Sequence, residues 1–569
     1  MQRNITTGLC LSLLLIIAGC SGTEKASQKV PISDTETLLS YQNSITENFL
    51  RHHLSIFAAD SMEGRETGTP GERKAAEYLS EQYAQMGLIP VGDNDTYYQH
   101  FDLNTTQNDS IIFETYTTTG EEKSIVSRSV ASSQSTADYI RAFGGTDSLN
   151  GEIIFAGFGV NDPAREVAHL EGADLQGKWV MVFQDIPHVE NGDTLISSSV
   201  DNRSRFNAIF GAGAEGILLI SDMSEAEFEE AARADQSAFG EPSNMQLAYL
   251  DDGNSSGQGP FSKGYNMISP DMAAQMLNLV GGADAIRDYR EKILQNIKDF
   301  SLQPLNYSLA QMPYTSKNSI RTENVLAYID GSDPELKDEV VVITSHYDHV
   351  GIGQPDSTGD RIYNGADDDG SGTIGLLNIA HAFHKAAEDG VRPRRSILFL
   401  NVTAEEKGLL GSRYYSDHPV FPIENTVANI NSDMIGRIDE EHEEQGIEEY
   451  AYIIGGEIIS SDLDSLIKAA NSRSGQIELN NRYNDLQDPN QFYRRSDHWN
   501  FGRLGVPFAF FFTGIHEDYH QPSDEVHKIR FEKLSKIVRT MYASTVLIAN
   551  ADQPPAVDNQ QFIEITKEN

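Results

Sequence analysis

Four short apolar runs punctuate the second half of the chain: Glu339 to Thr344, Ser396 to Val402, Val427 to Asn431 and Val506 to Phe512. Nearly continuous runs of this length, rich in β-branched and aromatic residues, predict strands buried on both faces. Between them the period lengthens. Leu376, Ile379, Ala380 and Phe383 fall at i, i+3, i+4 and i+7 and predict a helix after Gly372. Leu534, Ile537, Val538 and Met541 predict a last helix over residues 531–549. Near the other end, Ala75, Ala76, Leu79 and Tyr83 share one face of a helix that Gly87 stops. Strands alternating with helices predict an α/β fold with a mixed, largely parallel sheet flanked by helices.

The pattern changes between residues 115 and 300. Short runs (Gly151 to Phe155, Lys178 to Phe183, Gly216 to Ile220) stand among many turn residues, with one helical segment from Phe206 to Gly213. This stretch is expected to form a β-rich domain with one or two helices, inserted into the main one. The 569 residues exceed what one core accommodates. The expected organisation is therefore a main domain built from 39–114 and 301–552, interrupted by 115–300, with a loose tail at 553–569.

The N-terminus has the layout of an export signal over residues 1–19: Arg3, then an apolar stretch from Leu9 to Ile17. The tetrapeptide Ile17-Ala18-Gly19-Cys20 looks like a bacterial lipobox, which implies cleavage before Cys20 and lipidation of its thiol. Residues 20–38 then read as a flexible tether. Cys10 is the only other cysteine, so the mature chain is expected to lack internal disulfides. No later run reaches the ~20 apolar residues of a membrane helix. The expectation is an exported protein, an outer-membrane lipoprotein or a periplasmic or cell-surface one, attached to a membrane only through the lipid on Cys20. Acidic residues outnumber basic ones 85 to 43, for a net charge of −42. That balance excludes a nucleic-acid partner, which needs a basic footprint.

Chemistry-bearing residues gather just past the predicted strands. They are His346 and Asp348, Asp368 within Asp367-Asp368-Asp369, Glu405 and Glu406, Asp433 and His520. Open α/β sheets place their sites beyond the carboxyl ends of the strands. Imidazole mixed with carboxylate suits zinc. The set suffices for two ions with one carboxylate left to act as a base, a recurrent arrangement for hydrolysis. Nothing physical separates Asp368 from its two acidic neighbours.

With these residues in view, the chain resembles the secreted bacterial zinc metallopeptidases of the M28 type. The motifs are His346-Tyr-Asp348, Gly365-Ala-Asp-Asp368-Asp-Gly-Ser-Gly, Thr403-Ala-Glu405-Glu406-Lys-Gly, Ser432-Asp433-Met and Tyr519-His520. The loop Glu63-Gly-Arg-Glu-Thr-Gly also looks like that family's, and the insertion resembles a protease-associated (PA) domain. The resemblance implies the zinc-aminopeptidase, phosphorylase/hydrolase-like fold and two zinc ions bridged by Asp368. His346 and Asp433 would complete one ion's shell, Glu406 and His520 the other's. Glu405 would be the general base acting on a bridging water, Asp348 would fix the His346 tautomer, and Tyr519 would donate to the oxyanion. The implied activity is removal of N-terminal residues from peptide substrates.

Other readings compete. His516-Glu517-Asp518-Tyr519-His520 is a literal H-E-x-x-H, but Gly514 and Pro522 leave little room for the helix a zincin needs. His349 is a ligand alternative to His346. Ser496-Asp497-His498 cannot converge as a triad, although Asp497 offers a structural or amine-binding carboxylate. A glutaminyl cyclase on the same scaffold would keep one zinc. A carboxypeptidase would want a basic clamp, for which Arg437 and Arg494-Arg495 are the candidates. A binding protein on a dead scaffold would have lost ligands, and none is missing.

Overall fold

The computed structural model describes residues 34–567 except 121, 137, 144–147, 191, 237–241 and 252–263. The expected signal and Cys20 lie outside the described residues. Among those described, no helix is long and apolar enough to cross a membrane.

In the lobe that carries the acid and imidazole motifs, the strands Phe508–Phe512, Thr426–Ser432, Val340–His346 and Ser396–Val402 lie side by side and parallel. Tyr450–Gly455 runs against one edge of this group and the end of Gln303–Ile329 against the other. The sheet is mixed and largely parallel, flanked by helices, as the apolar runs predict. Strand periodicity sorts the side chains between two cores. Val341 and Ile343 face a large cluster with Gly370–Glu388, Phe531–Asn550 and Glu47–Phe57. Val340 and Val342 face the opposite side, where Tyr415 and Phe501 come from the helices Leu410–Asp417 and His498–Gly502. The helix Gly370–Glu388 is buried along most of its length, and Asp369 caps it by accepting from the Gly372 N–H at 2.9 Å.

The second lobe differs from the expectation. Its strands Leu149–Phe155, Trp179–Phe183, Gly216–Ile220 and Tyr265–Ile268 are parallel to one another. Four α-helices accompany them: Asn202–Gly211, Glu225–Asp235, Pro270–Met276 and Gly282–Gln295. The lobe is rich in strands, as expected, but carries four α-helices where one or two were expected. The Glu- and Ala-rich segment at 225–235 has little apolar surface but is nucleated by a capping box at Ser224 and Glu227. No sharp boundary at 115 or 300 exists either. Tyr98–Thr119 and Gln303–Ile329 pair antiparallel from Tyr98↔Val325 to Tyr116↔Ser308 and carry one sheet through both lobes.

The two ends of the chain also depart from expectation. The assumed tether ends in the helix Thr35–Ser40, whose Leu38 and Leu39 are buried. The tail expected to be loose forms the helix Gln560–Lys567, because Phe562 is buried in the cluster of Phe508 and Phe510.

Candidate metal centre

Each chemistry-bearing residue sits at the carboxyl end of a parallel strand or in the loop that follows. His346 ends its strand, while Glu405 and Glu406 follow Ser396–Val402 by a short turn in which Ala404 has φ +55°. Asp433 follows Thr426–Ser432, and His520 lies in the loop after Phe508–Phe512. Asp368 lies in the loop before the buried helix and is 3 % exposed.

These side chains converge. His346 Nε2 lies 3.3 Å from Asp368 Oδ1 and 3.5 Å from Asp433 Oδ1. His520 Nε2 lies 3.1 Å from Asp368 Oδ2 and 3.1 Å from Glu406 Oε2. Asp368 thus turns one oxygen to each group. Its neighbours are otherwise engaged: Asp367 Oδ1 accepts from the Gly436 N–H and its Oδ2 faces His516, while Asp369 caps the helix and accepts from the Met434 N–H. The triple aspartate that sequence could not resolve is divided by its backbone partners. Asp524 fastens the loop by accepting from the N–H groups of Asp367 and Asp368.

His349 joins the site instead of replacing His346. Its Nδ1 is 3.0 Å from Glu406 Oε1 and 3.7 Å from Asp368 Oδ2. Two sets of groups result, each with its ligand atoms within 4.8 Å: His349, Asp368, Glu406 and His520, and His346, Glu405 and Asp433. Asp348 does more than face His346. The His346 Nδ1 meets the Asp348 backbone carbonyl at 3.1 Å, with the carboxylate at 3.7 Å. That carboxylate accepts from the N–H groups of Glu405 and Glu406 and from the Thr67 hydroxyl.

Among the described residues no Lys or Arg pairs with Asp368, Glu405, Glu406 or Asp433. Burial pushes Glu405 up; His346 opposes the rise, but the nearby Asp433, Glu406 and Asp497 carboxylates add to it and leave the group well above the usual range. Burial would lower His520, but its hydrogen bonds to Asp368 and Glu406 win and raise it to about 10. The cluster calls for positive charge, and its mixed imidazole and carboxylate donors suit divalent metal.

The H-E-x-x-H segment is a turn, not a helix. His516 faces Asp367 at 3.3 Å, His520 faces Asp368, and Glu517 is exposed. The zincin reading fails because its residues are not on one helical face. His498 is buried between Phe508 and Phe510, at 4.5 and 4.6 Å between ring centres, and burial lowers it to about 3. Asp497 is wholly buried beside it, and the cavity over the acids is lined by its neighbours Arg495 and Ser496.

A cavity opens over the acids. It is lined by Glu405, Glu406 and Asp433 on one side, and by Phe492, Phe510 and Phe512 on another, with Tyr519 and Arg495 completing it. Tyr519 stacks on the His520 ring at 3.9 Å. The alternation of Phe508 to Phe512 explains the wall: Phe511 faces the main core, while Phe510 and Phe512 face the cavity side.

Residues 324–545 match the model of Peptidase family M28. Aminopeptidase YwaD of Bacillus subtilis is 26% identical over 231 residues, covering 39% of this chain and 44% of that protein. A probable leucine aminopeptidase 2 of Aspergillus oryzae is 34% identical over 206 residues, covering 35% of each chain. The match thus spans less than half the length of these curated relatives. Among solved structures, an aminopeptidase from Aneurinibacillus sp. strain AM-1 is 16% identical with a TM-score of 0.49, covering 92% of this chain and 97% of that one.

Proposed function

We infer that this chain, whose residues 324–545 belong to peptidase family M28, is an exported zinc aminopeptidase that removes N-terminal residues from peptides. The observation that carries this reading is Asp368, whose two oxygens are divided between two groups of imidazole and carboxylate donors.

His346, Asp433 and Asp368 would hold one zinc, and Asp368, Glu406 and His520 the other, with His349 beside the second. When bound, the ions would supply Lewis acidity and lower the pKa of water near them. Glu405 is then the general base. It lines the cavity and pairs with no Lys or Arg among the described residues, so its carboxylate is free to take a proton from the attacking water and return it to the leaving amine. Asp348 holds Glu405 and Glu406 by their backbone N–H groups and so fixes both relative to His346. Tyr519 lines the cavity, and its hydroxyl would donate to the developing oxyanion. A cavity rich in carboxylates favours a free α-amine. One candidate basic clamp for a carboxypeptidase, Arg437, is tied to Asp518 at 2.9 Å. Attachment through lipid on Cys20 completes the proposal.

The test uses carboxyl-blocked and amine-blocked peptides, with and without chelator. The wild type is expected to cleave only the carboxyl-blocked set, to lose that activity on chelation and to regain it with zinc. E405Q should keep two zinc ions per chain while kcat falls about 10²- to 10⁴-fold. Cleavage of the amine-blocked set alone, or one zinc per chain with cyclase activity, would overturn the reading.

A further inference from the structure

Arg495 lines the same cavity as Glu405, Asp433, Phe510 and Tyr519. Its guanidinium lies over the Phe492 ring, 4.9 Å from the centroid. Among the described residues it makes no ion pair and no side-chain hydrogen bond. Other basic residues of the same lobe are committed elsewhere: Arg437 to Asp518 at 2.9 Å, Lys528 to Asp518 at 2.6 Å, Lys407 to Glu66 at 2.7 Å, and Arg494 to Gln491. Partners are not scarce in a chain with 85 acidic and 43 basic residues. Stacking on Phe492 satisfies one face of the guanidinium and leaves its N–H edge free, the geometry in which arginine forks onto a carboxylate.

We propose that Arg495 determines specificity by binding a carboxylate of the substrate close to the scissile bond, so that the enzyme favours peptides acidic there. This rests on the aminopeptidase reading. With both zinc ions bound the four carboxylates of the centre are neutralised, and Arg495 is the cavity-lining side chain left to attract a carboxylate. The anion has two sources. One is the side chain of an acidic N-terminal residue lying along Phe492 and Phe512. The other is the terminal carboxylate of a dipeptide. Both offer the planar pair of oxygens that a guanidinium binds in two parallel hydrogen bonds. Arg495 is exposed, so the preference is modest, about three- to tenfold in kcat/KM.

Two substrate pairs separate the sources: N-terminal Glu against Gln on one leaving group, and Leu-Gly against Leu-Gly amide. The wild type should favour the carboxylate member of at least one pair. That ratio should fall towards one in R495Q, recover in part in R495K and invert in R495E. Equal rates within both pairs for the wild type, or a preference that survives R495Q, would overturn the proposal. Should R495Q fail to fold, the wild-type ratio at low and high salt decides: a charge-based preference shrinks with salt, and a constant one contradicts it. If the zinc-loaded wild type cleaves none of the four peptides, the aminopeptidase reading itself falls. Cleavage without preference removes only the role of Arg495.

Discussion

Residue types and order revealed most of the centre, because His and carboxylates just past strand ends have few other reasons to be there. What they could not reveal was set by geometry from distant loops. Asp368 stands apart from Asp367 and Asp369 only through the Gly436, Met434 and Asp524 contacts. His349 could be weighed only as a substitute for His346, since nothing in the sequence shows that the chain turns between them and sends the second ring to Glu406. Its position implies a specific outcome. On the proposed two-zinc reading, losing His349 loosens the ion that Glu406 would hold, through the contact of its ring with that carboxylate. H349A should lower affinity for the weaker-bound zinc about 10- to 100-fold, read by chelator competition, and leave the other ion in place. Unchanged affinity for both would take His349 out of the centre.

At the scale of elements, the apolar runs located the four parallel strands that carry the site to within two residues, since strands buried on both faces are rich in apolar residues. The helices of the second lobe were harder to see, because Glu225–Asp235 is held by its cap more than by an apolar face. Polar anchoring between elements was not legible either. Glu72, on the helix Pro70–Gln85, is 1 % exposed and accepts from the hydroxyls of Thr322 and Thr403 and from the Gly68 N–H. It fastens that helix beside the turn that carries Glu405. Burial raises it to about 7 from 4.5, against the lowering effect of its donors. Between these values the folded state holds the proton and the unfolded chain does not. Stability contributed by this group is therefore present below pH 4.5 and lost as pH rises towards 7, by up to about 3 kcal/mol. E72Q, which carries no titrating proton, should flatten this slope: relative to wild type it should gain in melting temperature from pH 5 to 8. A parallel shift at all pH values would show that Glu72 does not titrate in this window.

The whole molecule joins its lobes by more than the long ladder of Tyr98–Thr119 with Gln303–Ile329. The strand Pro242–Leu247 folds back onto Tyr98–Thr119, and Leu247 packs with Phe101, Leu103 and Ala404. Ala404 immediately precedes Glu405. Next along the chain, the Tyr249 hydroxyl donates to Asp417 at 2.6 Å, and its ring meets His418 edge-on. The inserted lobe therefore braces the outside of the turn that aims the proposed base, a role that no sequence pattern announces because its parts lie some 150 residues apart. A passive spacer would behave differently. Leu247 is 1 % exposed, and Leu218, in the core of the second lobe, is fully buried. Truncating either to Ala should cost roughly 3 kcal/mol and lower the melting temperature. Only L247A should also lower kcat, several-fold at a temperature where both variants are folded, because only that cavity lies against the Ala404 turn. Equal kcat in L247A, L218A and wild type would make the lobe a spacer as far as catalysis is concerned.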